Sequence, residues 1–130
     1  MQVRQTAIAI LVGLPCAVAG SAAHAADTSD CARRDLTQVD MNACADQAFQ
    51  KQDRALNAVY GELVKQEDAA GLKRLQAAQR AWLQFRDLEC LYEAPDGGGS
   101  IAAQDKATCL ATLTRQRILE FRRVLADKPP

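Results

Sequence analysis

The chain has 130 residues and a mass of 14.1 kDa, with 16 basic and 16 acidic residues, five cysteines and one histidine. That length supports one small domain, and the balanced charge lacks the positive field that polyanions require, which argues against nucleic acid as a partner. Aromatic residues amount to 5%, which disfavours sheet-rich sandwiches.

Residues 1–25 read as a secretory signal peptide. Arg4 supplies the charged start, and residues 7–14 form an apolar stretch. Ala23-His24-Ala25 gives a small-x-small cleavage site, with the bond after Ala26 as the other candidate. The apolar run is too short to span a bilayer and is interrupted by Pro15, so no stable membrane anchor is expected in the mature form. A lipoprotein signal wants a small residue before Cys16, where Pro15 stands, and Cys16 is therefore expected to leave with the leader. The mature domain is then residues 26–130, with its core at about 31–125. It keeps four cysteines and no histidine, because His24 is removed. The expected location is periplasmic or secreted, an oxidising setting in which Cys31, Cys44, Cys90 and Cys109 form two disulfides.

Three helices are predicted in the mature chain. Thr37-Gln38-Val39-Asp40 matches a capping box, with Asp40 in place of the usual Glu or Gln. From there to about residue 65, Met41, Ala45, Ala48, Phe49, Leu56, Val59, Tyr60 and Leu63 recur at helical spacing. Gly71 is the expected break. A second helix follows over about 72–92, with Leu72, Leu75, Ala78, Trp82, Phe85, Leu88 and Leu91 or Tyr92 on one side. Pro95-Asp96-Gly97-Gly98-Gly99-Ser100 reads as a loop, since three glycines make continued helix costly. Ser100 is the expected cap of a third helix from 101 to about 126, whose stripe is Leu110, Leu113, Ile118, Phe121, Val124 and Leu125. No segment alternates with period two for long enough to make a strand. The predicted fold is all-α, a small bundle of about three helices whose thin core is stapled by two disulfides. Residues 30–68 are acidic and the third helix basic, which fits either charge complementarity between neighbouring helices or a basic face turned to anionic lipid or glycan.

Four cysteines allow three pairings. Antiparallel helices bring all four to one end of the bundle, so each pairing is geometrically open. The preferred set is Cys31–Cys44, tying the lead-in onto the first helix, and Cys90–Cys109, clamping the hairpin across the glycine loop. A metal site would need short paired spacings such as C-x2-C, and no histidine remains to complete a mixed site, so no metal and no cofactor are expected. The same loss of histidine removes Ser-His-Asp and Cys-His catalysis. No phosphate-binding or dinucleotide fingerprint appears. Asp87, Glu89 and Glu93 lie among basic neighbours and read as a solvated helix face rather than a glycosidase pair. Binding, not catalysis, is the expected class.

Several segments together carry a resemblance: Met41-Asn42-Ala43-Cys44-Ala45, Leu56-Asn57-Ala58-Val59-Tyr60, the run from Gln79 through Trp82, Phe85, Arg86 and Asp87 to Cys90, Gly98-Gly99-Ser100-Ile101, and the run from Cys109 to Arg117. In this order they resemble the lysozyme inhibitor LprI-like N-terminal domain family, over roughly residues 31–125. The resemblance implies a secreted, cysteine-stapled helical domain and, for the branch that names the family, inhibition of lysozyme. The second functional class is a non-catalytic envelope interaction, immunity or stress protein with a different partner. Among the motif residues, Trp82 and Phe85 are expected in the core, and Tyr60 there with its hydroxyl at the rim. Asn57 is expected to make an interhelical hydrogen bond, and Arg86 and Asp87 to bond across the helix ends. The glycines either only let the hairpin turn, or let backbone amides and Ser100 approach a partner closely. For an inhibitor, Gly98, Gly99 and Ser100 would enter the lysozyme cleft, Arg86 would be a cationic neighbour, and Asp96 with Glu93 would meet the basic rim.

Overall fold

A computed structural model describes residues 31–95 and 97–127. The expected leader, its cleavage site, Cys16, His24 and Asp96 lie outside the described residues. The chain folds as three helices, α1 (Gln38–Lys65), α2 (Ala69–Glu93) and α3 (Ala102–Asp127), with no strand among the described residues. None of these helices is long and apolar enough to cross a membrane.

Each helix begins where local chemistry satisfies its first amides. At α1 the Asp40 amide donates to Thr37 Oγ1 at 3.2 Å, and the Thr37 amide donates back to Asp40 Oδ2 at 2.9 Å, the reciprocal pair of a capping box. The break between α1 and α2 falls at residues 66–68 rather than at Gly71. Asp68 caps α2, its carboxylate accepting from the Gly71 amide at 2.6 Å, which places Gly71 inside the first turn. At α3 the Ile101 carbonyl accepts from the Asp105 amide at 3.1 Å, so the cap lies one residue beyond Ser100. The Ser100 carbonyl instead receives Asn42 Nδ2 at 3.1 Å.

The helices α1 and α3 run parallel and pack along their length. Gln38 Nε2 donates to Gln104 Oε1 at 3.0 Å near their starts, while Leu56, Val59 and Leu63 meet Ile118 and Phe121 further along. The antiparallel α2 packs mainly on α3, and its backbone approaches α1 only sparsely. Two disulfides join the chain as preferred from the sequence: Cys31–Cys44, with Cα atoms 5.7 Å apart, and Cys90–Cys109, at 5.5 Å.

Apolar burial is uneven along the bundle axis. The half remote from the glycine loop holds the core of Leu56, Val59, Leu63, Ile118 and Phe121, closed by Tyr60, Leu75, Trp82 and Leu125. Large aliphatic and aromatic side chains buried in this way each contribute about 1.5–3 kcal/mol. In the loop half the buried apolar groups are small, Cys90, Ala94 and Ala107, and that half is where both disulfides lie.

The inward face of α2 departs from the apolar stripe. Leu75 and Trp82 do pack toward the core, but Phe85 is 51% exposed, Leu88 58% and Tyr92 84%, and Leu91 is also exposed. The buried line is Leu75, Gln79, Trp82, Arg86 and Cys90, with Leu75 and Trp82 half-covered. The Cys90–Cys109 bridge and the bonds of Arg86 fix the rotation of α2. At about 100° per residue, that rotation turns Phe85 and Leu88 outward. Val124 likewise faces out from α3.

Two predictions follow from these terminal devices. Its bonds to Thr37 hold the Asp40 carboxyl below its ordinary value of 3.8. The folded state therefore favours the ionised form, so this contribution is complete above pH 3.8 and is lost as pH falls through the lower folded value. Asp40→Asn will lower the melting temperature at neutral pH and flatten the acid limb of a melting-temperature-against-pH curve. Replacing Cys90 and Cys109 together by serine removes a 19-residue closure. In the chain-entropy model this costs about 3 kcal/mol, measurable as a lower urea midpoint.

Candidate functional site

The connection from α2 to α3 is built on glycine for two separate reasons. Gly97 and Gly99 have φ of 91° and 84°, in the left-handed region that side chains avoid. Gly98 has no such dihedral, but a Cβ there would lie 3.2 Å from both Ala102 Cβ and the Pro95 carbonyl oxygen. The turn is closed by the Gly98 amide donating to the Pro95 carbonyl at 3.1 Å and the Ala102 amide to that of Gly99 at 3.3 Å. Gly97 and Gly99 are therefore required by the turn itself, and close packing favours glycine at 98. Pro95, Gly97, Gly98, Gly99 and Ser100 are all exposed. The loop is nonetheless anchored, since Cys90–Cys109 ties its two stems, Ala94 is buried at its base, and Asn42 of α1 holds the Ser100 carbonyl.

A groove of about 460 Å³ lies beside the loop, lined by Gly97, Gly99, Asp46, Phe49, Lys106 and Leu110. A second, of about 480 Å³, shares Phe49, Lys106 and Leu110 with it and extends to Asp87, Leu88 and Leu91 on α2. Together they make an open surface with an apolar floor and charges of both signs.

Arg86 lines the wall of the second groove while remaining only 7% exposed. Its Nη1 donates to Asp53 Oδ1 of α1 at 3.4 Å and to Thr114 Oγ1 of α3 at 3.3 Å. Its Nε donates to Asp87 Oδ1 at 2.9 Å, and Nη2 lies 2.9 Å from the same oxygen. The guanidinium also lies over Phe49 at 5.3 Å and Trp82 at 5.5 Å from the ring centroids. Trp82 has a second cation beside it, Arg117 at 5.6 Å, which is held by Gln79 Oε1 and Glu120 Oε2.

The structure redistributes the residues singled out from the sequence. Arg86 is an interior organiser and not an accessible cation, because its donors face Asp53, Asp87 and Thr114. Asn57 makes no bond between helices: its Nδ2 donates to Asp53 Oδ2 at 3.2 Å within α1, steadying the carboxylate that receives Arg86. Tyr60 is half-buried and packs against Phe121, with ring centroids 6.1 Å apart. Asp87 is exposed and pairs with its neighbour Arg86, while Phe85 lies outside the core. Gly98, Gly99 and Ser100 share the exposed loop. The cation beside that loop is Lys106, which sequence reasoning passed over. Its signal was its place four residues after Ala102, a little more than one turn into α3.

Comparison with known proteins places these features in a wider set. The family model described as lysozyme inhibitor LprI matches residues 21–121. The chain is 34% identical over 110 residues to an uncharacterized protein of Rhizobium meliloti (strain 1021), covering 74% of this chain and 78% of that one. It is 38% identical over 61 residues to the uncharacterized protein YecT of Escherichia coli (strain K12), covering 38% of each. No solved structure matches the chain.

The position of Arg86 sets a stability test. Asp53 and Asp87 are partly open to water, which weakens the ion pairs, so the main losses on truncation are packing against two rings and the bond to Thr114. Arg86→Ala will cost about 2 kcal/mol in denaturant unfolding, with a shift in the emission of Trp82, the protein's single tryptophan.

Proposed function

Since the chain belongs to the lysozyme inhibitor LprI family, we propose that it is a non-catalytic binding protein, periplasmic or secreted, that blocks a lysozyme by occupying its substrate cleft. The observation that carries this reading is the exposed glycine loop, braced at both stems and flanked by Lys106.

A lysozyme cleft is shaped for a sugar chain and has two catalytic carboxyl groups at its floor. A protein closes such a cleft with a narrow protrusion that carries donors and needs little ordering on binding. The loop fits that requirement. Its glycines present backbone without side-chain bulk, Ser100 adds a hydroxyl, and Lys106 adds positive charge at its edge. Arg86, buried in the bundle, acts behind this surface by holding α2, from which the loop departs. Glu93 and Asp96 add negative charge next to the loop in the chain, suited to the basic rim of a lysozyme and to steering the encounter.

Inhibition of peptidoglycan lysis by chicken-type and other lysozymes tests the reading directly. Ser100→Trp and Lys106→Glu will each raise the inhibition constant about tenfold, as expected of residues inside the contact. Ser100→Trp leaves thermal stability unchanged, because Ser100 is exposed and uses only its carbonyl toward α1. Inhibition unaffected by both substitutions would remove the loop from the interface. Lysis uninhibited across all lysozyme classes would remove the function.

A further inference from the structure

The outward side of α2 carries an ordered seam that the core does not bury, with Leu88 also at the edge of the second groove. Arg74, Ala78, Ala81, Phe85, Leu88 and Tyr92 are all exposed, and they follow one another at alternating steps of four and three residues. This is the spacing of the inward positions of a coiled coil. The seam is about 28 Å long and points away from the buried line of Leu75, Gln79, Trp82, Arg86 and Cys90. Its two halves differ in size. The first half presents alanines at 78 and 81, with Ala77 beside them, and the second presents Phe85, Leu88 and Tyr92.

We propose that this face binds a second copy of the chain, the two α2 helices packing antiparallel about a two-fold axis close to residue 83. An isologous contact of this kind sets each half of the seam against the other half of its copy. Ala81 then faces Phe85 of the second copy, Ala78 faces Leu88, and Arg74 faces Tyr92. Large side chains from one helix fill the space left by alanines on the other, twice over. A parallel arrangement would instead stack large on large and small on small.

Charge agrees with the same register. The first half of α2 is basic, with Lys73, Arg74 and Arg80, and its second half is acidic, with Asp87, Glu89 and Glu93. Arg74 meets the ring of Tyr92 in a cation–π arrangement. The seam is narrow for a permanent dimer, so the association is reversible and depends on concentration.

The test is sedimentation velocity on the disulfide-bonded chain over a range of micromolar concentrations. The native protein shifts from monomer to dimer mass as concentration rises. Leu88→Glu, at an exposed site that leaves helicity and melting temperature intact, weakens the dimer about thirtyfold or more. Ala81→Trp, which fills the space meant for Phe85, does the same. A native chain that stays monomeric throughout the range would overturn the proposal, whether or not another protein binds this face. So would a dimer that survives both substitutions, because it would use another surface.

Discussion

A single guanidinium holds the three helices in one arrangement. The backbones of α1 and α2 do not pack closely, and the space between them is bridged by long side chains, chief among them Arg86. A buried cation must find its acceptors in one geometry, and here Asp53, Asp87 and Thr114 come from all three helices. Such a group is weak as a source of net stability but strong as a device for setting registry. Once Arg86 points inward, the rotation of α2 is determined, with Gln79 and Cys90 following it into the interior. Phe49 and Trp82 pack against its faces, so the polar centre is also an apolar contact.

Around that centre the bundle divides its stabilisation between two kinds of bond. Away from the loop it has a conventional side-chain core. Near the loop it has small residues, a polar contact between Gln38 and Gln104, and two covalent bridges. The division suits a small domain that must present a shaped end: large buried side chains there would have to be covered, whereas disulfides fix the stems without widening them. Chain topology assists, because the parallel α1 and α3 bring Asn42 beside the Ser100 carbonyl.

Much of this was legible in the residues. Helix number, the capping box, the glycine loop and the disulfide pairing all rest on local signals or short closures, which a sequence states directly. The apolar stripe of α1 was equally legible, since Leu56, Val59 and Leu63 do face the core. The errors came where a tertiary partner overrode a local preference. Phe85 and Leu88 continue the stripe of Leu75, Ala78 and Trp82, yet the bridge at Cys90 and the acceptors of Arg86 lie on a different azimuth and win. Arg86 was legible as a bonding residue but its partner on α1 was not, because Asp53 is 33 positions away in the chain. Asn57 looked like a link between helices for a related reason: the helix it serves is reached through Asp53. Gly71 illustrates a smaller error, in which glycine suggested a break that Asp68, a strong cap three residues earlier, had already made. The candidate site was legible as a loop but not as a surface, since Lys106 joins it only through the fold.

The placement of both bridges at one end makes the two halves of the bundle depend on oxidation to different degrees. The remote half can condense by apolar contact as soon as the three helices meet, whatever the state of the thiols. The loop half has fewer large apolar side chains to condense around and relies more on its two bridges. Reduction would therefore loosen the presented end more than the base. Amide exchange would read this as two cooperative blocks, of which only the one carrying the loop responds to reductant.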